Sequence, residues 1–541
     1  MNNKAKGFNF ILVVLFALLF VGSVFMVSAR HYDLYVTYRK YWTIILGLLF
    51  IWSFCIGVVK NKDYIELPVD KILGVIVLTG VLESLYALAQ FFKIIPSFNR
   101  FYAYTGSFDN PAIFAMLLSV CVPIAVYYAN KALTIKKKKE AIVWWTVAAL
   151  MLIFIGFSES RTALMATIIS SFIVCLSMSD SLRDKLFKRR TLFILIPIVL
   201  VLLFLIYKFK ADSANGRLLM WRVSMDMIKD KPLFGFGYNG FTAHYLEYQA
   251  SYFIDNPDSP FLLLADNVNN PFNEYILVLI NYGLTGFVLL LGFIFLTLRK
   301  LWLLQKEYKI VLIALAVAIM VLGLFSYPFS LKFIWALIAF IIMVAFCGTI
   351  RSHRTLSTTV FTVICSIGII MGFYRFMIER EWKLIYERTM VEEDMESVLP
   401  DYKRIYDQLN GNAKFLYNYG AELHYSGHYK ECLQIMGECI KKDNDYDVQM
   451  IIGNSYQHLG DTIKALEHYS IANNMVPSKF KPLSLSMKLY VEKRDTVNAL
   501  NIANAILAKD VKINRSKSVK KIIDEAEEVF NMLTDTDPGE Q

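Results

Sequence analysis

Residues 138–178 read KKEAIVWWTVAALMLIFIGFSESRTALMATIISSFIVCLSM. Two apolar blocks, 140–157 and 161–178, flank the short polar connection Ser158-Glu159-Ser160-Arg161. Each block is long enough to cross a hydrocarbon layer of about 30 Å as a helix. The connection is very short, so Arg161 is expected to start the second helix at or just below the membrane surface.

Working outward, similar blocks stand at 8–29, 42–60, 71–93, 111–130, 191–209, 273–298, 308–327, 330–349 and 355–378. With 56% hydrophobic residues and a mean hydropathy of +0.45, the chain is too apolar for an ordinary soluble protein of its length. The predicted fold class is all-α: a polytopic membrane bundle of about eleven spans, followed by an α-solenoid. The predicted division is a membrane domain at 1–380 with a large loop at 210–272, a linker at 381–411 and a repeat domain at 412–535. The first block follows Lys4 and Lys6 but is longer than a signal-peptide core of about 7–15 residues, and no clear cleavage site follows. It reads as a retained first helix.

The formal net charge of +10 does not point to nucleic acid, because the basic residues sit in short loops between apolar blocks. With the N-terminus inside, one side collects Lys60, Lys62 and Lys71, Lys131 and Lys136–Lys139, and Arg183, Lys185, Lys188, Arg189 and Arg190. Arg299, Lys300, Lys306, Lys309, Arg351 and Arg354 follow on the same side, as the positive-inside rule requires. Eleven crossings put the C-terminus outside, together with the loop 210–272. Long loops in compact proteins tend to be functional. The seven cysteines have no metal-ligand spacing. Cys432 and Cys439, seven apart on one predicted helix, read as small core residues rather than a disulfide.

Residues 413–513 repeat with a period near 34. Gly420 matches Gly453, Gly427 matches Gly460, and Cys432, Ala465 and Ala499 share one small-residue position. The pattern resembles the tetratricopeptide repeat, in which helix pairs bury one face by stacking. The block near Lys517–Met532 reads as a capping helix. A domain of this kind either binds a partner protein or serves as spacer or dimerisation element, and both readings stay open. Nothing in it suggests catalysis, and deleting residues after about 400 is expected to spare transfer to a small acceptor.

Ionisable groups at membrane depth are costly and therefore candidates for function. Four constellations fall on the outer side. In the first, Arg161 begins a helix, where its charge opposes the macrodipole; it suits an anion held there, or snorkels to lipid phosphate. In the second, Arg217 and Trp221 share a helix face, with Arg222 beside them; arginine's planar fork suits phosphate, while an interfacial Trp is commonly an anchor. In the third, Asp230-Lys231-Pro232-Leu233-Phe234-Gly235-Phe236-Gly237-Tyr238-Asn239-Gly240-Phe241, the glycines allow a tight turn and close backbone approach. In the fourth, Asp266-Asn267-Val268-Asn269-Asn270-Pro271-Phe272-Asn273-Glu274-Tyr275 leads into a span, with Asn281-Tyr282-Gly283-Leu284-Thr285-Gly286 a few turns on. These polar groups bind a sugar, or they cap the helix with Asn270 as N-cap before Pro271.

Together with Gly106-Ser107-Phe108-Asp109-Asn110-Pro111, these ordered segments resemble the O-antigen ligase family of bacterial membrane glycosyltransferases over roughly residues 8–350. The added repeats resemble forms found in Bacteroidetes-type bacteria. The resemblance implies transfer of a glycan from a polyprenyl diphosphate to an acceptor hydroxyl on the periplasmic face of the inner membrane, with no metal, cofactor or nucleotide sugar. It implies arginines on the diphosphate, here Arg161 and Arg217 with Arg222 as a third. Trp221, Asn270, Asn273 and Asn110 are the further candidates for substrate binding. The family's histidine near the start of the eighth span is replaced here by Asn270 or Phe272. His31 and His244 lie outside the motif, which leaves Glu274 as candidate base or helix cap. The acceptor is a glycan or a protein hydroxyl, and a protein partner at the repeats is one of the two readings left open.

A repeat-unit polymerase and a protein O-oligosaccharyltransferase are alternatives within the same chemistry. A transporter is the alternative outside it; it predicts paired charges at mid-membrane and broken helices in related halves, whereas Glu83 is the main isolated charge at depth and the membrane domain has no clear internal repeat. A bare membrane anchor would leave the arginines and the long loop unexplained.

Overall fold

The computed structural model describes residues 3–27, 36–60, 67–179, 183–184, 211–352, 354–392, 395–512 and 516–535. Among these residues the chain is all-helical, with 20 helices and no strand. In order they are α1 (Asn3–Phe25), α2 (Val36–Lys60), α3 (Val69–Phe91), α4 (Pro111–Thr134), α5 (Lys138–Phe157) and α6 (Arg161–Met178), then α7 (Ala211–Asp230), α8 (Gly240–Asp255), α9 (Glu274–Trp302), α10 (Lys309–Phe325), α11 (Lys332–Ser352) and α12 (Arg354–Glu392). The C-terminal set is α13 (Met395–Leu409), α14 (Ala413–Tyr425), α15 (Tyr429–Ile440), α16 (Tyr446–His458), α17 (Thr462–Met475), α18 (Lys481–Glu492), α19 (Thr496–Leu507) and α20 (Lys517–Asp535).

Eight of the helices are long and apolar enough to cross a membrane: α1 to α6, α9 and α12. The apolar helices α10 and α11 are shorter in their hydrophobic stretch, Lys309–Phe325 and Lys332–Gly348. The predicted span at 191–209 lies outside the described residues, as do His31, Lys62, Lys185, Lys188, Arg189 and Arg190. The predicted linker 381–411 is itself helical, shared between the end of α12 and α13.

The chain divides into two compact units. The first comprises residues 1–206, 272–274 and 289–384. Its centre is α4, started by Asn110, whose Oδ1 accepts from the Ala112 N–H at 2.8 Å, with Pro111 at the first helical position. That is a favoured helix start. Helices α3, α5, α6 and α10 surround α4, and α1 packs on α2 and α11. Phe16 lies between Phe20, Phe50 and Phe340 at ring distances of 5.4–5.7 Å.

The second unit comprises residues 207–271, 275–288 and 385–541. Helices α14 to α20 pack consecutively, each on the next. The sequence repeat has a physical basis. Gly427 and Gly460 take positive φ of 85° and 80° after α14 and α16, and Arg494 takes φ 56° at the same place after α18. Asp461 and Asp495 then cap α17 and α19 through the N–H groups of Lys464 and Asn498. Gly420 and Gly453 admit Met436 and Tyr469 so closely that a Cβ would collide, and Cys432, Ala465 and Ala499 are fully buried. All seven cysteines are free thiols.

Candidate functional site

In the first unit, the ends of four elements meet. Helix α5 turns through Ser158–Ser160, where Glu159 has φ 55°. Ser160 caps the next helix by accepting from the Ala163 N–H at 3.4 Å, so Arg161 is the first residue of α6 and is half-buried. Beside it, the Thr162 hydroxyl donates to the carbonyl of Phe325, the last residue of α10. The turn that follows α10 is a junction. Ser326 Oγ contacts Met116 Sδ on α4, the Tyr327 ring packs edge-on against Phe272 at 5.3 Å, and Trp335 Nε1 donates to the Phe329 carbonyl. Glu274, only 3% exposed, accepts the Phe329 N–H at 2.7 Å on Oε1.

The segment before α4 is held as tightly. Gln90 Oε1 accepts from the N–H groups of Thr105 and Gly106, and Glu83 Oε2 accepts from the Ser107 N–H at 3.0 Å. Arg39 donates to the Ser107 carbonyl at 2.8 Å. Glu83 thus anchors this segment from α3. Asn110, expected at the substrate, spends its side-chain oxygen on the cap of α4.

In the second unit, α7 carries Arg217, Trp221 and Arg222. Arg217 and Trp221 are half-buried on one face, and Trp221 Nε1 donates to the Pro271 carbonyl at 2.9 Å. Arg222 is exposed and lies over the Tyr252 ring of α8 at 5.2 Å. Asn270 precedes that same Pro271. The expected N-cap at Asn270 is corrected: α9 begins at Glu274, because Phe272 takes φ 50° and the chain cannot run helically from Pro271. Asn273 is the residue directly before the helix. His244, on α8, pairs with Glu247 at 3.3 Å and packs on Phe236.

The two glycine-bearing motifs form one feature. Helix α9 is broken at Gly283, with φ 63° and ψ −164°. Such a break strips the preceding half of its last carbonyl partners and the following half of its first N–H partners. Residues 232–237 supply both. The N–H groups of Phe236 and Gly237 donate to the carbonyls of Ile280 and Asn281 at 2.8 Å each. The carbonyls of Pro232 and Leu233 accept from the N–H groups of Leu284 and Thr285, at 2.8 and 3.2 Å. A Cβ on Gly235 would stand 2.4 Å from the Ile280 oxygen, and one on Gly283 2.3 Å from the Leu233 carbonyl. Both glycines are required by close backbone approach. Asn281 Oδ1 also accepts from the Phe241 N–H at 3.1 Å, capping α8.

Arg161, Asn110, Asn273 and Glu274 thus belong to the first unit, and Arg217, Trp221, Arg222 and Asn270 to the second. Neither the Glu274–Phe329 bond nor this backbone clasp between residues 232–237 and 280–285 was foreseen from sequence. Only the glycines hinted at the clasp. Among the described residues, no group of three His, Cys, Asp or Glu side chains could hold a metal ion.

None of the curated proteins compared with the chain matches it. Residues 146–291 match the family model described as O-antigen ligase. That stretch, running from the middle of α5 to beyond Gly283 in α9 and holding Arg161, Arg217 and Glu274, is where this chain is similar to the O-antigen ligases.

Proposed function

We propose that this protein is a membrane glycosyltransferase of the ligase type, moving a glycan from a polyprenyl diphosphate to an acceptor hydroxyl. The observation that carries the reading is the match of residues 146–291 to the O-antigen ligase family, a stretch that holds both arginine-bearing helix segments. In this reading the chain crosses the bacterial inner membrane about eleven times, with its N-terminus in the cytoplasm. The loop 210–272 lies in the periplasm, as does the tetratricopeptide-like domain 412–535, which 381–411 joins to the membrane domain 1–380.

Diphosphate is already a good leaving group. What needs stabilising is the negative charge that grows on its oxygens as the sugar becomes oxocarbenium-like. Arg161 and Arg217, both half-buried, supply positive charge there, with the exposed Arg222 as a third contact. Glu274 takes the acceptor's proton, its carboxylate oriented by the Phe329 N–H. Trp221, Asn270 and Asn273 border the glycan. Asn110 contributes by shaping the start of α4.

Deletion of the gene followed by glycan profiling tests this. Loss of all glycan from one acceptor supports the ligase. Shortening to single repeat units means a polymerase, and loss from many proteins means a protein O-oligosaccharyltransferase. An unchanged glycan profile overturns the reading.

A further inference from the structure

The C-terminal helices are not a free module. Helix α8 has two working faces, both within the second unit. One face meets α17 and the turn before α16. The Thr242 hydroxyl donates to the Lys442 carbonyl at 2.8 Å, and the Thr242 carbonyl accepts the Asn444 N–H at 3.0 Å. Asn444 Nδ2 donates to Glu247, and its Oδ1 accepts from Gln449, whose own oxygen meets His468 Nδ1 at 2.6 Å. Gln249, 1% exposed, donates to the Met475 carbonyl at 2.6 Å and accepts from the Tyr245 hydroxyl. Beyond α8, Asn267 donates to Asp445 and Lys512 pairs with Asp266. The other face meets α7: Tyr248 donates to Asp230, and Tyr252 lies under Arg222.

Gln249 and Asn444 are buried with both ends of their amides partnered, and such groups fix one geometry, because any shift leaves one of them unpaired. We infer that the C-terminal helical domain acts in cis as a brace for the helix bearing Arg217 and Trp221, with Thr242, Gln249 and Asn444 as positioning residues for donor binding. This rests on the proposed function, and it runs against the expectation that deleting residues after about 400 spares transfer to a small acceptor.

The test uses the full-length protein in lipid nanodiscs, with a polyprenyl diphosphate-linked glycan as donor. Hydrogen exchange is read in parallel over residues 211–230. Thr242→Val keeps the shape and loses the donor, Thr242→Ser keeps the donor, and Gln249→Ala removes the buried amide. Thr242→Val and Gln249→Ala should each lower kcat/KM for the donor roughly three- to tenfold, the size of one lost hydrogen bond, with kcat falling because Arg217 acts in the transition state. They should also speed exchange in α7. Thr242→Ser should behave as wild type. Unchanged exchange in α7 for both variants overturns the brace, as does an unchanged kcat/KM for the donor. If the wild-type protein transfers nothing, the proposed function falls, while the exchange measurement still decides whether α7 depends on the C-terminal contacts.

Discussion

Replacing Gly283 with alanine should open the clasp between α9 and residues 232–237. The backbone there, φ 63° and ψ −164°, is almost confined to glycine, and holding an L-residue in it costs about 1–3 kcal/mol. The new Cβ would also stand 2.3 Å from the carbonyl carbon and oxygen of Leu233. These are backbone atoms, so no rotamer change relieves the overlap. Relief requires residues 232–237 to withdraw, which breaks the bonds from Leu284 and Thr285. Two lost hydrogen bonds add about 1–3 kcal/mol, for a local total of about 2–6 kcal/mol. At about 1.4 kcal/mol per factor of ten, the amides of Phe236 and Gly237 should exchange at least about thirtyfold faster. Hydrogen exchange is the right assay, because it reads local opening where a single melting temperature for two units does not. Gly235→Ala should do the same, and the double variant should add little, since both break one clasp. Exchange at Phe236 and Gly237 close to wild type in both variants, or full additivity, would refute the reasoning.

Other outcomes follow from the same contacts. Glu274→Gln keeps an acceptor for the Phe329 N–H, so folding should hold while transfer falls about 10²–10⁴-fold; retained transfer would reduce Glu274 to a structural pin. Asn281→Ala removes the cap of α8 and should destabilise its first turn by about 0.5–2 kcal/mol, seen as faster exchange at Phe241. Burial, with Asp445 beside it, pushes Asp443 up to about 7. An acid whose pKa is raised by folding stabilises the fold fully below its unfolded value, and that stability is lost as pH rises through about 7. Exchange around residues 440–446 should therefore slow from pH 8 to pH 5, after correction for intrinsic rates, and Asp443→Asn should flatten the dependence.

Much of the fold was legible because hydropathy is local. The predicted block 161–178 coincides with α6, and 140–157 differs from α5 by two residues at its start. The repeat period was legible for the same reason: Gly427 and Gly460 mark turns, and Cys432, Ala465 and Ala499 mark close packing. Of the two readings left open at Asn270, the cap fails: Asn-Pro is a good helix start, but Phe272 takes φ 50° and the helix begins only at Glu274. The clasp was beyond reach. It pairs backbone groups of residues 232–237 with those of 280–285, and backbone hydrogen bonding carries no side-chain signature apart from the two glycines. The same holds for α8, whose Thr242 and Gln249 look like ordinary surface residues until Lys442 and Met475 are placed against them.

The most direct test is transfer by purified full-length protein from a defined polyprenyl diphosphate-linked glycan, comparing wild type with Arg161→Ala and Arg217→Ala. The account predicts polyprenyl diphosphate released in step with glycan transferred, and a fall of about 10²–10³-fold in each variant with membrane levels and folding unchanged. Wild-type rates from both arginine variants would contradict it.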